Sequence, residues 1–168
     1  MPKAAGFTVI ELLFVVALLA VLLSIGAPAL QTMVTNNRIS TAAGDLMADL
    51  MFARATAISR SQRVGVCVSS DHATCSGSSW AQGWIVFMDA NSNGNLDTGE
   101  TIVRVHEELA GALTVTPTPS ALGIVFRPSG PADASRTFQI CKAGFKGRTI
   151  AINATGRPQS TAMASNCT

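Results

Sequence analysis

The stretch "DANSNGNLDTGE", residues 89–100, holds the densest run of side-chain oxygens in the chain. Its spacing matches D-x-N-x-N-G-x5-E, the pattern of a calcium-binding loop. Asp89, Asn91, Asn93, Asp97 and Glu100 would present oxygens, with Gly94 at the sharp turn. An EF-hand needs helices on either side, whereas "WIVFM" before and "TIVRV" after read as strands. The plainer reading is a hairpin connection with an Asn-Gly turn, its Asp and Asn side chains bonded to their own backbone. Ca2+ is thus a candidate ligand, and no cofactor is required.

Enzyme chemistry finds no foothold. The sequence has no H-E-x-x-H, no G-x-S-x-G and no phosphate loop. His72 and His106 stand alone and read as surface or strand histidines.

A second candidate is electrostatic. Residues 1–122 carry six Lys/Arg against nine acids, net −3, while residues 123–168 carry six against Asp133 alone, net +5. Lys142, Lys146 and Arg148 interleave with Phe145 in "CKAGFKGR", and "ATGRP" adds Arg157. Such a patch would neutralise phosphates without reading base sequence, which makes DNA a candidate partner.

The cysteines point to an oxidising compartment. Cys67, Cys75, Cys141 and Cys167 make an even count without C-x-x-C or Cys/His spacing for zinc. Three pairings are open. The local one, Cys67 with Cys75 and Cys141 with Cys167, crosses the chain least and is the expected one.

Glu11 poses a different question. Every other residue from 7 to 27 is apolar, or small and uncharged. As a helix the run spans about 31 Å, one bilayer core. A carboxylate there costs roughly 2–3 kcal/mol. Lys3 and the amino terminus lie on the short side, so the N-terminus faces the cytoplasm and the rest is exported. A cleaved signal peptide is the competing reading, since "APA" at 27–29 imitates a cut site; the long run, Glu11 and Pro28 argue against it.

These groups need elements to hold them. Past Pro28, which is expected to loosen the helix, Ala43, Leu46, Leu50, Ala53 and Ala57 recur at helical spacing to about Ser61. One helix of about 50 residues is therefore half membrane anchor and half amphipathic packing surface. Asp45, Asp49, Arg54 and Arg60 mostly fall off its apolar stripe. Beyond it, "RVGVCV", "GWIVFM", "TIVRVH", "LTVTP", "LGIVF", "RTFQIC" and "RTIAIN" read as seven strands between Gly, Pro, Asn and Ser clusters. The expected fold is α+β, one long N-terminal helix packed on an antiparallel sheet or pair of sheets.

"AGFTVIELLFVVALL" resembles the N-terminus of type IV pilins and pseudopilins. That resemblance implies a prepilin leader, residues 1–6, cut by a prepilin peptidase between Gly6 and Phe7, with Phe7 then N-methylated. It implies a transmembrane and filament-core helix at 7–28, and a periplasmic globular domain at 29–168. Glu11 is the fifth residue after the cut, the family's characteristic acid. In a lipid-free bundle it would meet the terminal amine of a neighbouring Phe7, so that only the correct register leaves no buried unpaired charge.

"LMFARATAISRSQRV", "GWIVFMDANSNGNLDTGETIVR" and "GRTIAINATGRPQ" are similar to the GspH/FimT (FimU-like) group. This implies a non-enzymatic subunit of a type IV pilus or type II secretion filament, working with other pilins from the bacterial inner membrane. FimT-type members bind DNA in natural transformation through G-R-x-R. Here Gly156, Arg157 and Pro158 are followed by Gln159 in place of the second Arg. A pilus-displayed DNA-uptake subunit is the alternative function.

Overall fold

The computed structural model describes residues 8–168, so Gly6 and Phe7 lie outside the described residues. The chain divides into two units, Met1–Val34 and Thr35–Thr168. Helix α1, Val9–Arg60, is one element of 52 residues.

In the first unit, Leu12, Phe14, Leu18, Leu22 and Leu23 are all exposed. The helix is long and apolar enough to cross a membrane. Helical structure continues through Pro28. Thr32 Oγ1 donates to the Pro28 carbonyl at 3.0 Å, whereas the acceptor that loses its N–H to the proline ring is the Ser24 carbonyl one turn earlier.

In the second unit, Ile39, Ala42, Ala43, Leu46, Leu50, Ala53 and Ala57 of α1 are buried. Four of these are alanines, whose small side chains let the helix axis approach the strands closely. The helix stops where Ser61 turns left-handed at φ 50°. Gln62 N then donates to Ala57 O and Ser61 N to Ile58 O, a Schellman closure without glycine.

The strands are β1 (Arg63–Val68), β2 (Trp84–Asp89), β3 (Ile102–His106), β4 (Thr114–Thr118), β5 (Gly123–Phe126), β6 (Arg136–Cys141), β7 (Lys146–Ile152) and β8 (Pro158–Asn166). They form two antiparallel sheets, ordered β3-β2-β1-β5 and β4-β6-β7-β8. A 3-10 turn, Trp80–Gln82, precedes β2. Its Trp80 meets Phe138 of the second sheet edge-on at 4.9 Å, tying the sheets together.

In the first sheet the two central strands, β1 and β2, are buried on both faces, which explains their unbroken apolar runs. Val64, Val66, Trp84, Val86 and Phe126 face the main core with α1. Cys67, Ile85 and Phe87 form a second cluster, capped by Leu96 and Ile102. Gly65 is required there, because a Cβ would run into the Phe87 ring.

Among the described residues there are eight strands rather than seven. The unread one is β8, "PQSTAMASN", which has no β-branched run and exposes most of its residues. Pairing with β7, from Ile152↔Pro158 to Lys146↔Asn166, makes it a strand where local propensity does not.

Candidate functional site

Thr8 and Glu11 close the start of α1. Thr8 N and Oγ1 donate to Glu11 Oε2 at 3.2 and 3.1 Å, and Glu11 N donates to Thr8 Oγ1 at 3.3 Å. This is a capping box, with Thr8 as N-cap and Glu11 at the third helical position. Both residues are exposed, and these are the contacts of the Glu11 carboxylate within the described chain. The sequence signal for this cap is the spacing T-x-x-E, which lies inside the apolar run.

A second acid lies further along the helix. Asp49 is 5% exposed, inside the core rather than off the apolar stripe as its position suggested. Trp84 Nε1 donates to Asp49 Oδ2 at 2.9 Å, and Arg104 donates to Oδ1 at 2.7 Å. Arg104 also lies over the Phe52 ring at 3.9 Å. His106 does not stand alone either. Its ring stacks on Trp84 at 3.9 Å, and its Nε2 lies 3.5 Å from Asp45 Oδ2. Helix, β2 and β3 are locked by these contacts across 22 to 61 positions of chain, a separation at which spacing carries no signal. His106 borders a cleft of about 240 Å³ with Arg38, Asp45 and Glu108. No Ser, Thr or Cys is bonded to the imidazole, so among the described residues it is not set up to activate a nucleophile.

The oxygens of the 89–100 loop are turned inward. Asp89, fully buried, accepts from Asn93 N and Gly94 N at 3.0 and 3.1 Å. Glu100 accepts from Ala90 N at 2.7 Å and from Asp97 N at 3.1 Å. Asn91 and Asn93 direct their amide N–H groups at Asp97, at 2.7 and 2.6 Å, and these bonds hold its carboxyl below the usual range. Donors point at the acids where a cation would need oxygens. Among the described residues no three His, Cys, Asp or Glu gather as a metal group. The arrangement does not fit Ca2+ coordination. It fits a turn that carries Leu96 onto the second apolar cluster.

The basic residues are spread out. Lys142 Nζ is tied to the Gly111 carbonyl at 2.7 Å, and Arg148 reaches Ser160 Oγ at 3.3 Å. Lys146 opens β7, whereas Arg157 follows the turn after it, about 20 Å along the strand. Each pair of cysteines in the local arrangement is joined, Cys67 to Cys75 and Cys141 to Cys167, and no cysteine is free among the described residues.

A long helix opened by Thr8 and Glu11 and closed onto two antiparallel sheets can be set against known proteins. The model of the family "Type II transport protein GspH" matches residues 42–156. The chain belongs to the GspH family. Its first 27 residues match the prokaryotic N-terminal methylation motif. It is 31% identical over 160 residues to the pilin-like protein PilA1 of Thermus thermophilus, covering 90% of this chain and 95% of that one. The crystal structure of the type IV minor pilin FimU of Pseudomonas aeruginosa matches with a TM-score of 0.61 at 26% identity, over 79% of this chain and 98% of that one. The minor pseudopilin EpsH of the Vibrio cholerae type 2 secretion system shares the fold, with a TM-score of 0.55 at 14% identity over 76% and 99%. The expected α+β pilin fold is the one present. A GspH-family chain is a pilin-like subunit that assembles with other pilins, and its apolar N-terminal helix fits a membrane-anchored pilin.

Proposed function

We propose that this GspH-family chain is a non-enzymatic minor pilin of a type IV pilus, stored as a single-pass inner-membrane precursor and then drawn into the filament. Its N-terminus lies in the cytoplasm and residues 29–168 lie in the periplasm. A prepilin peptidase removes residues 1–6, and Phe7 is methylated. Residues 7–28 then leave lipid for the filament core. The higher identity to the pilus protein FimU, 26% against 14% for the secretion protein EpsH, favours the pilus over the secretion filament.

The observation that carries this reading is Glu11. Its carboxylate sits on an exposed apolar helix and, among the described residues, meets its own first turn. In lipid it is a net cost, and among the described residues it holds no distant group. A neighbour's terminal amine, met without water or lipid, gives it a partner of opposite charge.

Glu11→Ala tests this. Insertion into the inner membrane should be retained or slightly improved, because a polar cost is removed. Incorporation into sheared filaments should fall at least about tenfold, roughly 1.4 kcal/mol of assembly free energy. Normal incorporation of the variant sinks the docking role. Mass spectrometry of the wild-type chain should find methylated Phe7 at the terminus, and Gly6→Ala should block that cut. A chain starting near Gln31 would mean signal-peptide processing instead. The DNA-uptake alternative has weaker support, since Lys142 and Arg148 are engaged within the chain and Arg157 lies apart. A gel shift of the full-length chain with duplex DNA at low salt tests it.

A further inference from the structure

Four strands stand at sheet edges, and three of them are guarded. β5 is covered by the segment after it: Asp133 N donates to Val125 O at 2.8 Å, Arg127 N donates to Pro131 O at 2.9 Å, and Phe126 bridges Ala132. β4 carries Pro117, with Pro119 just beyond its end, and each proline removes one N–H donor there. β3 is short and carries Arg104 and His106. Short strands, charges, prolines and covering segments are the usual means of stopping a sheet from pairing with another chain.

Past Pro158, β8 has none of these; its one irregularity is a bulge across from Gly147, where residues 163–165 depart from the register. It is nine residues long, the longest strand here, and residues 158–168 contain no Lys, Arg, Asp or Glu. Its backbone pairs with β7 on one side. Antiparallel bonding alternates, so about half of its N–H and C=O groups point away from β7. No backbone group from 158 to 166 bonds to another segment of the described chain. On one face its neighbours are uncharged, with Thr161 opposite Thr149 and Gln159 opposite Ala151; on the other, half-buried Arg148 lies opposite Ala162 and donates to Ser160 Oγ at 3.3 Å.

The two ends of this edge are basic. Arg157 precedes it, and Lys146 lies across from Asn166 at its far end. Asp133, the only acid after residue 122, faces Arg136 at 3.5 Å and lies outside this edge. The one cation along the middle, Arg148, is half-buried and bonded to Ser160, so the exposed cations at the two ends describe the missing strand: uncharged in the middle, acidic at both ends. Main-chain bonds supply affinity in such strand addition, and flanking charges set register and partner.

We propose that β8 is the docking edge for an extended strand of a neighbouring filament subunit, uncharged along its middle and acidic at its ends. This rests on the filament reading above for the source of the strand. A second copy of this chain fits less well, because it would bring Arg157 and Lys146 against their own counterparts.

The test uses the purified full-length chain in detergent and a short synthetic peptide of alternating Thr and Val with Asp at both ends. Amide hydrogen exchange in residues 158–166 should slow by about tenfold or more when the peptide binds. The same peptide with Lys at both ends should bind about tenfold more weakly. Thr161→Lys with Ala164→Lys, both exposed and neither opposite a charge, should remove the protection without changing thermal unfolding. Lys146→Glu with Arg157→Glu should reverse the preference to the Lys-ended peptide. Equal binding of both peptides, or protection by neither, overturns the inference. Protection that rises with the chain's own concentration, without peptide, makes a second copy the occupant and also overturns it.

In assembled filaments, a photoreactive residue at position 164 should crosslink to another subunit through such a segment. A chain that enters filaments and forms no crosslink overturns the β8 edge and leaves the filament reading intact. A chain that never enters filaments overturns that reading, and the source of the strand with it.

Discussion

Glu11 and Asp49 are two carboxylates on one helix, and their partners differ in kind. Glu11 bonds to Thr8, three positions away, and is exposed. Asp49 bonds to Trp84 and Arg104, 35 and 55 positions away, and is buried. An acid satisfied by distant groups is committed to the fold. An acid satisfied only by its own turn can change partner without unfolding anything. The difference separates a group that holds the subunit together from one that can join it to another.

The comparison is broken most severely at Asp49. Asp49→Ala leaves the Trp84 N–H and the Arg104 charge without their acceptor, at about 2–3 kcal/mol, the lower part of the range because Arg104 is partly exposed. Thermal unfolding of the full chain should fall by about 5–10 °C. Unfolding unchanged by Asp49→Ala would mean the network carries no stability.

A smaller loss follows from Arg104→Gln, which deletes one bond to Asp49 at a partly exposed position and leaves the Trp84 bond in place. The expected cost is about 1 kcal/mol, read in the same melts. A cost as large as that of Asp49→Ala would show that the Arg104 bond alone carries the network.

At the other acid, Thr8→Ala should cost about 1 kcal/mol of local helix stability. Faster amide exchange in the first turn of α1 checks it, and the melting of the globular unit should not move. A shifted melt would contradict the local character assigned to Glu11 and Thr8.

The mildest effect is a pH response at a third acid. The Asn91 and Asn93 amides depress the Asp97 carboxyl below its ordinary value of about 4. A depressed carboxyl contributes order that is fully present above that ordinary value and is lost as pH falls through the lower folded value. Amide exchange in residues 89–100 should therefore rise only below about pH 4. Loosening already near pH 6 would point to another group.

Much of the fold was legible because its signals are local. Ala43, Leu46, Leu50, Ala53 and Ala57 mark one helix face by spacing alone, and seven strands carry apolar or β-branched runs. β8 was not legible, since its small polar residues favour no particular conformation and acquire one by pairing with β7. The loop at 89–100 shows how a correct pattern can mislead. The residue types of a calcium loop are there, yet strands hold the ends and the amides turn toward Asp97.

Residue order alone determined the apolar N-terminal run, the acid within it, the helical period behind it and the even cysteine count. Each depends on neighbours a few positions apart, where covalent geometry sets who can meet whom. Tertiary structure alone decided that Asp49 is buried against Trp84 and Arg104, that His106 stacks on Trp84, that Lys146 and Arg157 sit at opposite ends of β7, and that β8 stands at an uncovered edge. Those outcomes depend on packing between segments tens of residues apart, and no spacing along the chain encodes a distance that only the folded core sets.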